Sequence, residues 1–388
     1  MRLLICAGGT GGGVYPALAV LQILKDRVER LTNAQLSVLW VGGEGGMEAD
    51  LVKRAGVDFT AIPAAGVHGV GASALPGNLW QLSRGFLASR EILRKFKPEV
   101  LFFTGGYVAV PMALAARFLA FGMPRPQSLL FVPDIEPGLA LKTLARITNH
   151  ITITSEDSRR FFPREQKESA QVTGYPVRTG MKSWSLEETR RVLKLDPGLP
   201  VLLVWGGSKG ARSINQALSA ALPNLLREIQ VVHITGQLDW PDAQKVKAGL
   251  SPDAALRYHP YPYLHDEMGA ALTVASLAIT RAGASTLGEL PLFGLPAILV
   301  PYPYAWRYQK VNADYLTSRG AAVMVEDGQL GEQLTPTVQE LIHDETRLLQ
   351  MRQAMLALAH PQAADMIADR LQELALGPAR KGSEEWSA

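Results

Sequence analysis

Two glycine-rich stretches, GGTGGG at 8–13 and GGSKGA at 206–211, have the composition of phosphate-binding loops. Each lies between an apolar run and a segment of helical periodicity, so its backbone N–H groups are unobstructed at the positive end of a helix dipole. Neither contains the Gly-Lys-Ser/Thr of a Walker loop or the spaced G-x-G-x-x-G of a dinucleotide fold. For one such loop alone, the alternative is that its glycines only allow the strand and the helix to pack closely. Two loops at matching places favour a phosphate-containing ligand.

A third turn of small residues, RAGASTLGE at 281–289, follows the apolar run at 277–280. Its N-terminal amides and the hydroxyls of Ser285 and Thr286 can bind a diphosphate. Glu289, one helical turn further on, can accept hydrogen bonds from both hydroxyls of a ribose, because both carboxylate oxygens are acceptors. A solvated helix face is the alternative for Glu289.

Two amides, Gln309 and Asn312, lie three residues apart on a further predicted helix and therefore share a face. Amide side chains can read the hydroxyls of a sugar because they both donate and accept hydrogen bonds. From spacing alone, two ordinary surface residues are the simpler interpretation.

The elements that must position these residues alternate between apolar runs and helical periodicity, which predicts an α/β fold of two doubly wound, Rossmann-like domains facing each other across a cleft. The predicted strands are 3–7, 36–41, 100–104, 129–132, 151–154 and 171–174, then 201–205, 231–235, 277–280, 297–301 and 321–326. The pattern lapses after Pro176, so we place the domains at 1–176 and 177–361. The tail, 346–376, is helical in period, and a C-terminal helix at about 362–380 is expected to pack back on the first domain.

The composition is that of a globular protein with more than one domain. The chain has 388 residues, 47% of them hydrophobic and 19% charged, and one cysteine, Cys6. A single cysteine excludes an internal disulfide and a thiolate metal cluster, and it fits a reducing compartment such as the cytosol. The formal charge of +3 is too small for the basic stripe of a nucleic-acid-binding protein, so no nucleic-acid partner is expected.

In their order and spacing, the motifs resemble the MurG-type N-acetylglucosaminyltransferases of peptidoglycan synthesis, a family with the GT-B fold, across nearly the whole chain. The matching stretches are GGTGG at 8–12 with Pro16, GGYV at 105–108 with Pro111, TGYPVR at 173–178, GGSKGAR at 206–212, RAGASTLGE at 281–289, and Gln309 with Asn312. The resemblance implies an inverting transfer of N-acetylglucosamine from UDP-N-acetylglucosamine to the muramoyl C4 hydroxyl of lipid I, which forms lipid II. The alternatives are a GT-B enzyme that uses a UDP-sugar on another lipid acceptor and a UDP-sugar epimerase-like enzyme.

The resemblance also implies a role for each matching residue. On the donor side, it assigns the diphosphate to Arg178 and Ser208, the uracil to the backbone of Leu264, the ribose to Glu289, the N-acetylglucosamine to Gln309, and further donor contacts to Gly283, Ala284, Ser285 and Thr286. On the acceptor side, it implies that the following residues face the lipid diphosphate: Gly8, Gly9, Thr10, Gly11, Gly12, Gly105 and Gly106. The chain has no clear Asp-x-Asp motif for a donor metal, so we expect a transfer without metal or cofactor.

The chain departs from the family pattern mainly on the acceptor side. Gly13 stands where the family usually has histidine, and Tyr175 stands where it has asparagine. The stretch 132–136 replaces a His-Glu-Gln-Asn segment, and Lys209 replaces a glutamine. The family's donor-side motifs are therefore better preserved in this chain than its acceptor-side motifs.

An inverting transfer needs a base, and Asp134 and Glu136 are the best candidates. They follow the predicted strand 129–132 at its carboxyl end, where open α/β sheets bind ligands. Capping of the helix that begins near Pro137 is the alternative for Asp134. His68 is a weaker candidate, because a lone loop histidine is usually a surface residue.

A lipid-linked acceptor must be met at a bilayer surface, and the stretch after residue 74 mixes apolar with basic side chains. The residues expected to contact anionic headgroups are Leu75, Leu79, Trp80, Arg84, Phe86 and Arg90. An amphipathic helix with its apolar side packed inward is the alternative. With the resemblance, we expect a peripheral protein at the cytoplasmic face of the cell membrane.

Overall fold

The computed structural model describes residues 1–8, 11–30, 35–46, 48–64, 75–118, 125–207, 210–304 and 306–376. The chain divides into two compact units. The first comprises Met1–Arg178 and the C-terminal residues from Pro361, and the second comprises Thr179–His360. The boundary predicted from the sequence, after residue 176, lies in the same segment of chain.

The first unit is built on a seven-stranded sheet in which every neighbouring pair of strands is parallel. Its strands are β1 (Arg2–Ala7), β2 (Ser37–Gly43), β3 (Asp58–Ile62), β4 (Val100–Gly105), β5 (Gln127–Val132), β6 (His150–Ile153) and β7 (Gln171–Val172). Its helices up to the boundary are α1 (Gly11–Glu29), α2 (Glu48–Arg54), α3 (Leu75–Phe96), α4 (Ala109–Arg117), α5 (Leu139–Ala145) and α6 (Arg164–Ser169). The strand order is β3-β2-β1-β4-β5-β6-β7, so the direction of the connections reverses between β1 and β4.

The second unit repeats this architecture with a six-stranded parallel sheet. Its strands are β8 (Val201–Trp205), β9 (Gln230–Ile234), β10 (Tyr258–Tyr261), β11 (Leu277–Thr280), β12 (Ala297–Leu299) and β13 (Ala322–Met324). Its helices are α7 (Leu186–Leu193), α8 (Arg212–Leu225), α9 (Trp240–Ala248), α10 (Pro252–Arg257), α11 (Glu267–Val274), α12 (Thr286–Phe293), α13 (Trp306–Thr317), α14 (Leu330–His343) and α15 (Glu345–Leu356). The order β10-β9-β8-β11-β12-β13 reverses between β8 and β11.

A last helix, α16 (Ala363–Leu376), belongs to the first unit and packs against α1. Arg27 of α1 forms ion pairs with Asp365 and Asp369 of α16 at 3.1 and 2.6 Å. The C-terminal helix expected at about 362–380 thus corresponds to α16, in the first unit. The helical period at 346–376 is interrupted around Pro361, which cannot continue a helix, and its earlier part is α15 of the second unit.

Apolar side chains from strands and helices form a separate buried core in each unit. The first core includes Leu4, Leu101, Phe103, Met112, Leu130, Leu144 and Ile153. The second includes Leu202, Val204, Ile214, Leu222, Val231, Ile279, Ile298 and Leu334. The continuous apolar runs from which we predicted strands do form strands, and their side chains supply these cores.

Candidate active site

The second glycine stretch connects β8 to α8, beside the reversal of the strand order, where ligands bind in open α/β sheets. Gly207 has φ +91° and Gly210 has φ +78°, which are conformations that favour glycine. A β-carbon at Gly210 would collide with the carbonyl oxygen of Thr235. The fold therefore requires these two glycines, whatever the ligand. Ser208 and Lys209 lie outside the described residues.

The turn between β11 and α12 lies on the other side of the same reversal and contains a glycine that the fold does not require. Gly283 does not have a positive φ, and no described atom lies within 4 Å of the place where its β-carbon would be. In contrast, the Thr286 hydroxyl is already used, because it donates to the carbonyl of Gly283 at 2.6 Å. Ser285 is half-exposed and Ala284 is buried. The turn therefore offers backbone amides and Ser285 to a ligand.

Three other predicted donor residues lie on loops or helices that start from the same edge of this sheet. Glu289 is half-exposed in the first turn of α12. Leu264 is buried in the connection between β10 and α11. Gln309 lies on α13, and its Oε1 accepts a hydrogen bond from the backbone N–H of Tyr302 at 2.8 Å.

Asn312 is not a surface residue, so that interpretation of the amide pair is wrong for this residue. It is fully buried, and its Nδ2 donates to the carbonyl of Ala282 at 3.1 Å. The side chain therefore supports the turn between β11 and α12 through this hydrogen bond. Spacing on a helix does not show which of two amides faces a backbone carbonyl.

A buried polar chain that sequence reasoning missed supports the start of α8. Asn215 donates from Nδ2 to the carbonyl of Thr235 and to Asp239, both at 2.8 Å, and its Oδ1 lies 2.9 Å from Nε2 of His233. The other ring nitrogen of His233 lies 2.8 Å from the hydroxyl of Tyr258. Burial lowers the pKa of His233 to about 3, so the imidazole is neutral at physiological pH.

The first glycine stretch, at 8–13, runs from β1 into α1 and lies beside the end of β4. Gly105 and Gly106 have φ +138° and +86°. A β-carbon at Gly106 would lie 2.7 Å from the carbonyl oxygen of Gly8, so these two predicted acceptor segments are in close backbone contact. Gly9 and Thr10 lie outside the described residues, whereas Gly11 and Gly12 begin α1.

A buried carboxylate, Glu48, lies against the first glycine stretch and was not singled out from the sequence. It is 1% exposed, and its Oε1 accepts a hydrogen bond from the N–H of Gly43 at 2.8 Å. A β-carbon at Gly8 would lie 2.5 Å from the same oxygen. Glu48 therefore fixes the end of β2 against the end of β1.

Arg178 and Tyr175, at the end of the first unit, both reach the first turn of α1. The Arg178 guanidinium lies 5.0 Å from the centre of the Tyr15 ring, a cation–π distance. The buried Tyr175 donates from its hydroxyl to the carbonyl of Gly12 at 3.3 Å.

The two candidate bases differ sharply in their surroundings. Both follow β5, next to β4 in the sheet, but Glu136 is only 2% exposed and pairs with Lys142 at 3.1 Å. Asp134 is half-buried. Helix α5 begins at Leu139, and its N-cap residue is Gly138, so Asp134 is not the cap of this helix. His68 lies outside the described residues.

Comparison with known proteins assigns both units to known domains. Residues 3–123 match the glycosyltransferase family 28 N-terminal domain, and residues 201–367 match its C-terminal domain. A UDP-N-acetylglucosamine--N-acetylmuramyl-(pentapeptide) pyrophosphoryl-undecaprenol N-acetylglucosamine transferase from Roseiflexus sp. (strain RS-1) is 37% identical, over 97% of this chain and 95% of the relative. MurG of Acinetobacter baumannii is similar in structure, with a TM-score of 0.74, 26% identity, and coverage of 96% of this chain and 99% of that one.

The chain belongs to the MurG family. The predicted family and GT-B fold are therefore confirmed. A UDP-GlcNAc 2-epimerase from Neisseria meningitidis has a TM-score of 0.63 at 13% identity, with 96% of this chain and 100% of that one covered. That likeness shows a shared fold alone.

Two departures from the MurG family pattern involve the first turn of α1: Gly13 lies in it, and Tyr175 hydrogen-bonds to it. A β-carbon at Gly13 would lie 3.2 Å from the carbonyl oxygen of Thr104, and the Thr104 hydroxyl donates to the Gly13 carbonyl at 2.6 Å. Any larger residue at position 13 would therefore press on the end of β4. The other departure, Tyr175, donates to Gly12 of the same turn.

Helix α3 carries the side chains predicted to contact a membrane, and the structure sorts them into two groups. Leu79 and Trp80 are 58% and 67% exposed, and Arg84 is also exposed. Phe86 packs against the first core, and Arg90 is half-buried. The side chain of Leu75 lies outside those described. None of the described helices is both long enough and apolar enough to cross a bilayer.

Proposed function

We propose that this MurG-family enzyme transfers N-acetylglucosamine from UDP-N-acetylglucosamine to the muramoyl C4 hydroxyl of lipid I, which produces lipid II for peptidoglycan synthesis. The observation that carries the proposal is membership of the MurG family, combined with the turn of small residues that follows β11 at the reversal of the strand order in the second unit. Neither a positive φ nor packing calls for glycine at position 283. The turn therefore leaves room for a ligand close to its backbone.

The donor occupies the second unit in this proposal. The N–H groups before α12 and the loop before α8 receive the diphosphate, together with Ser285, Ala284 and Ser208. Arg178, which the resemblance assigned to the diphosphate, belongs to the first unit, where it contacts the Tyr15 ring. Positive helix ends and N–H donors stabilise the charge that develops on the departing UDP, which requires no metal or cofactor. Glu289 accepts from the ribose, the backbone of Leu264 pairs with uracil, and Gln309 reads the sugar.

The acceptor occupies the first unit in this proposal. The segments at 8–12 and 105–106 face its lipid diphosphate. Asp134 takes the proton of the attacking hydroxyl, because it lies at the carboxyl end of β5 and Glu136 is buried against Lys142. Inversion follows from direct attack of that hydroxyl on the anomeric carbon, with UDP leaving from the opposite face.

The enzyme meets its lipid acceptor as a peripheral protein at the cytoplasmic face of the cell membrane. Leu79, Trp80 and Leu87 are exposed apolar residues on α3, and Arg84 lies between Trp80 and Leu87 along one helix face. Such a surface inserts shallowly between headgroups and attracts anionic lipids. Phe86 is left out of this surface because it packs inward.

Transfer of radiolabelled N-acetylglucosamine to lipid I tests the proposal. The purified chain is incubated with labelled UDP-N-acetylglucosamine and lipid I in detergent or vesicles, and the lipid product is separated by chromatography. Labelled lipid II is expected. Label on a different glycolipid only, or isomerisation of the donor without any acceptor, would overturn the assignment.

A further inference from the structure

Arg281, the first residue of the turn between β11 and α12, is buried in the second unit and has several protein partners. Its side chain is 9% exposed and forms an ion pair with Asp327. Its Nη2 donates to the hydroxyl oxygen of Ser213 at 2.7 Å. Its Nη1 also donates to the carbonyls of Val300 and Pro301 at 3.2 and 3.4 Å. The guanidinium is therefore committed to protein groups.

The partners of Arg281 come from separate segments of the chain at one edge of the sheet. Ser213 lies in the first turn of α8, directly after the second glycine stretch. Val300 and Pro301 follow β12 and lead to Tyr302, whose ring centre lies 5.4 Å from the guanidinium. Asp327 lies in a short 3-10 turn after β13. Arg281 thus connects four segments: its own turn, the start of α8, the residues that follow β12 and the turn that follows β13.

Asp327 and Ser213 complete a closed set of hydrogen bonds around the guanidinium. The Ser213 hydroxyl accepts from Arg281 and donates to Oδ1 of Asp327 at 2.7 Å, so each group has the polarity that its neighbour needs. Asp327 is 19% exposed at its side chain, and it supplies the negative charge that a buried guanidinium requires. Without Asp327, Arg281 would lose its charged partner and its link to the turn after β13.

We propose that Asp327 is a positioning residue for donor binding, although it lies outside every donor motif. Through Arg281 and Ser213 it fixes the second glycine stretch, the turn at 281–286 and the segment that begins at Pro301 relative to one another. This inference rests on the proposed donor role of the second unit. The Arg281 charge is neutralised by Asp327, so its contribution is geometry rather than direct attraction of the diphosphate.

Asp327→Ala in the full-length enzyme tests the inference through steady-state kinetics and calorimetric titration with UDP. The KM for UDP-N-acetylglucosamine is expected to rise about tenfold or more, with a smaller change in the KM for lipid I, because only the donor loops lose their support. Asp327→Asn keeps an acceptor oxygen for both partners but not the negative charge beside the buried guanidinium, so its donor KM should rise less than that of Asp327→Ala. Ser213→Ala should give an intermediate rise.

Glu340→Ala is the matched control, because it removes another ion-paired carboxylate of the second unit. Glu340 pairs with Arg347 and lies on α14, outside the donor loops. Its removal should leave the donor KM unchanged. If Asp327→Ala does not fold, Asp327→Asn and Ser213→Ala carry the test through the same two measurements.

Two failures are distinguishable. A wild-type enzyme that neither binds UDP nor makes lipid II would contradict the proposed function itself. A wild-type enzyme that does both, with Asp327→Ala and Ser213→Ala equal to it in donor KM and UDP affinity, would overturn the positioning role alone. Equal rises in the donor and acceptor KM values, or a donor KM in Asp327→Asn as high as in Asp327→Ala, would also overturn it.

Discussion

The two glycine stretches follow equivalent strands of two similar sheets, and close backbone contacts hold both, but the polar support around them differs. Around the first, Gly106 lies against the carbonyl of Gly8, and single hydrogen bonds from Thr104 and Tyr175 reach the carbonyls of Gly13 and Gly12. Around the second, Gly210 lies against the carbonyl of Thr235, and buried polar side chains also connect the loops. They form two sets, Ser213 with Arg281 and Asp327, and Asn215 with His233 and Tyr258.

The difference teaches that the polar support of the same strand-loop-helix unit can consist of separate hydrogen bonds or of a connected network. At Gly106 and Gly210, backbone contact and a positive φ leave no room for a side chain, so these positions are confined to glycine. The network around the second stretch depends on residues that lie far away in the sequence. Motif reading therefore finds the glycines of both stretches but only part of their polar support.

The largest effect is expected from the carboxylate assigned to proton transfer in the first unit. Asp134→Asn should lower kcat by about 100-fold or more, the usual range for removal of a general base, with UDP affinity unchanged. Glu136→Gln should have a much smaller effect on kcat, because Glu136 is already paired with Lys142. Near-normal turnover in Asp134→Asn would remove this residue as the base.

The carboxylate of the second unit should behave in the opposite way. Glu289→Ala should raise the donor KM by roughly tenfold, since hydrogen bonds to a charged group contribute about 1.5–3 kcal/mol, and should leave the KM for lipid I unchanged. Steady-state kinetics with each substrate varied in turn measures both values. A donor KM equal to that of the wild type would contradict the ribose contact and blur the contrast with Asp134.

A different kind of effect concerns the pH dependence of stability, because His233, which supports the second loop, has a lowered pKa. His233 has a pKa of about 3 when folded and 6.5 in the unfolded chain, so the unfolded state binds more protons as the pH falls. Its stabilising contribution is complete above pH 6.5 and decreases towards pH 3 by roughly 1.4 kcal/mol per pH unit.

Hydrogen exchange of the β9 amides, corrected for the intrinsic effect of pH, follows this loss of stability. His233→Gln should flatten the dependence between pH 6.5 and 4 by that slope, whereas the exposed His360→Gln should not. Exchange in β1 should not respond to either substitution. The same pH dependence in His233→Gln and the wild type would exclude His233 as its source.

The fold was largely readable from the sequence because most strands are continuous apolar runs buried on both faces. The two strands that were missed, β3 and β10, are both edge strands. β3 is mostly half-exposed, and β10 contains Pro260, so neither gives a clear apolar run.

The candidate site was readable only where ligand chemistry and local sequence coincide. The glycine stretches, Gly283 and Glu289 belong to short motifs with a direct physical meaning. The burial of Glu136, the use of Asn312 as a backbone support and the link from Arg281 to Asp327 depend on contacts between distant segments. No local pattern encodes such contacts, so the structure was needed to find them.

The central claim is that the turn before α12 holds the donor diphosphate, and titration of Gly283→Ala with UDP tests it most directly. Because no described atom lies within 4 Å of the added β-carbon, the unfolding temperature should not fall, and the same holds for Gly331→Ala, the matched control in α14. UDP should bind Gly283→Ala about tenfold or more weakly, a loss of about 1.4 kcal/mol, and Gly331→Ala normally. Wild-type UDP affinity in a normally folded Gly283→Ala would contradict the claim.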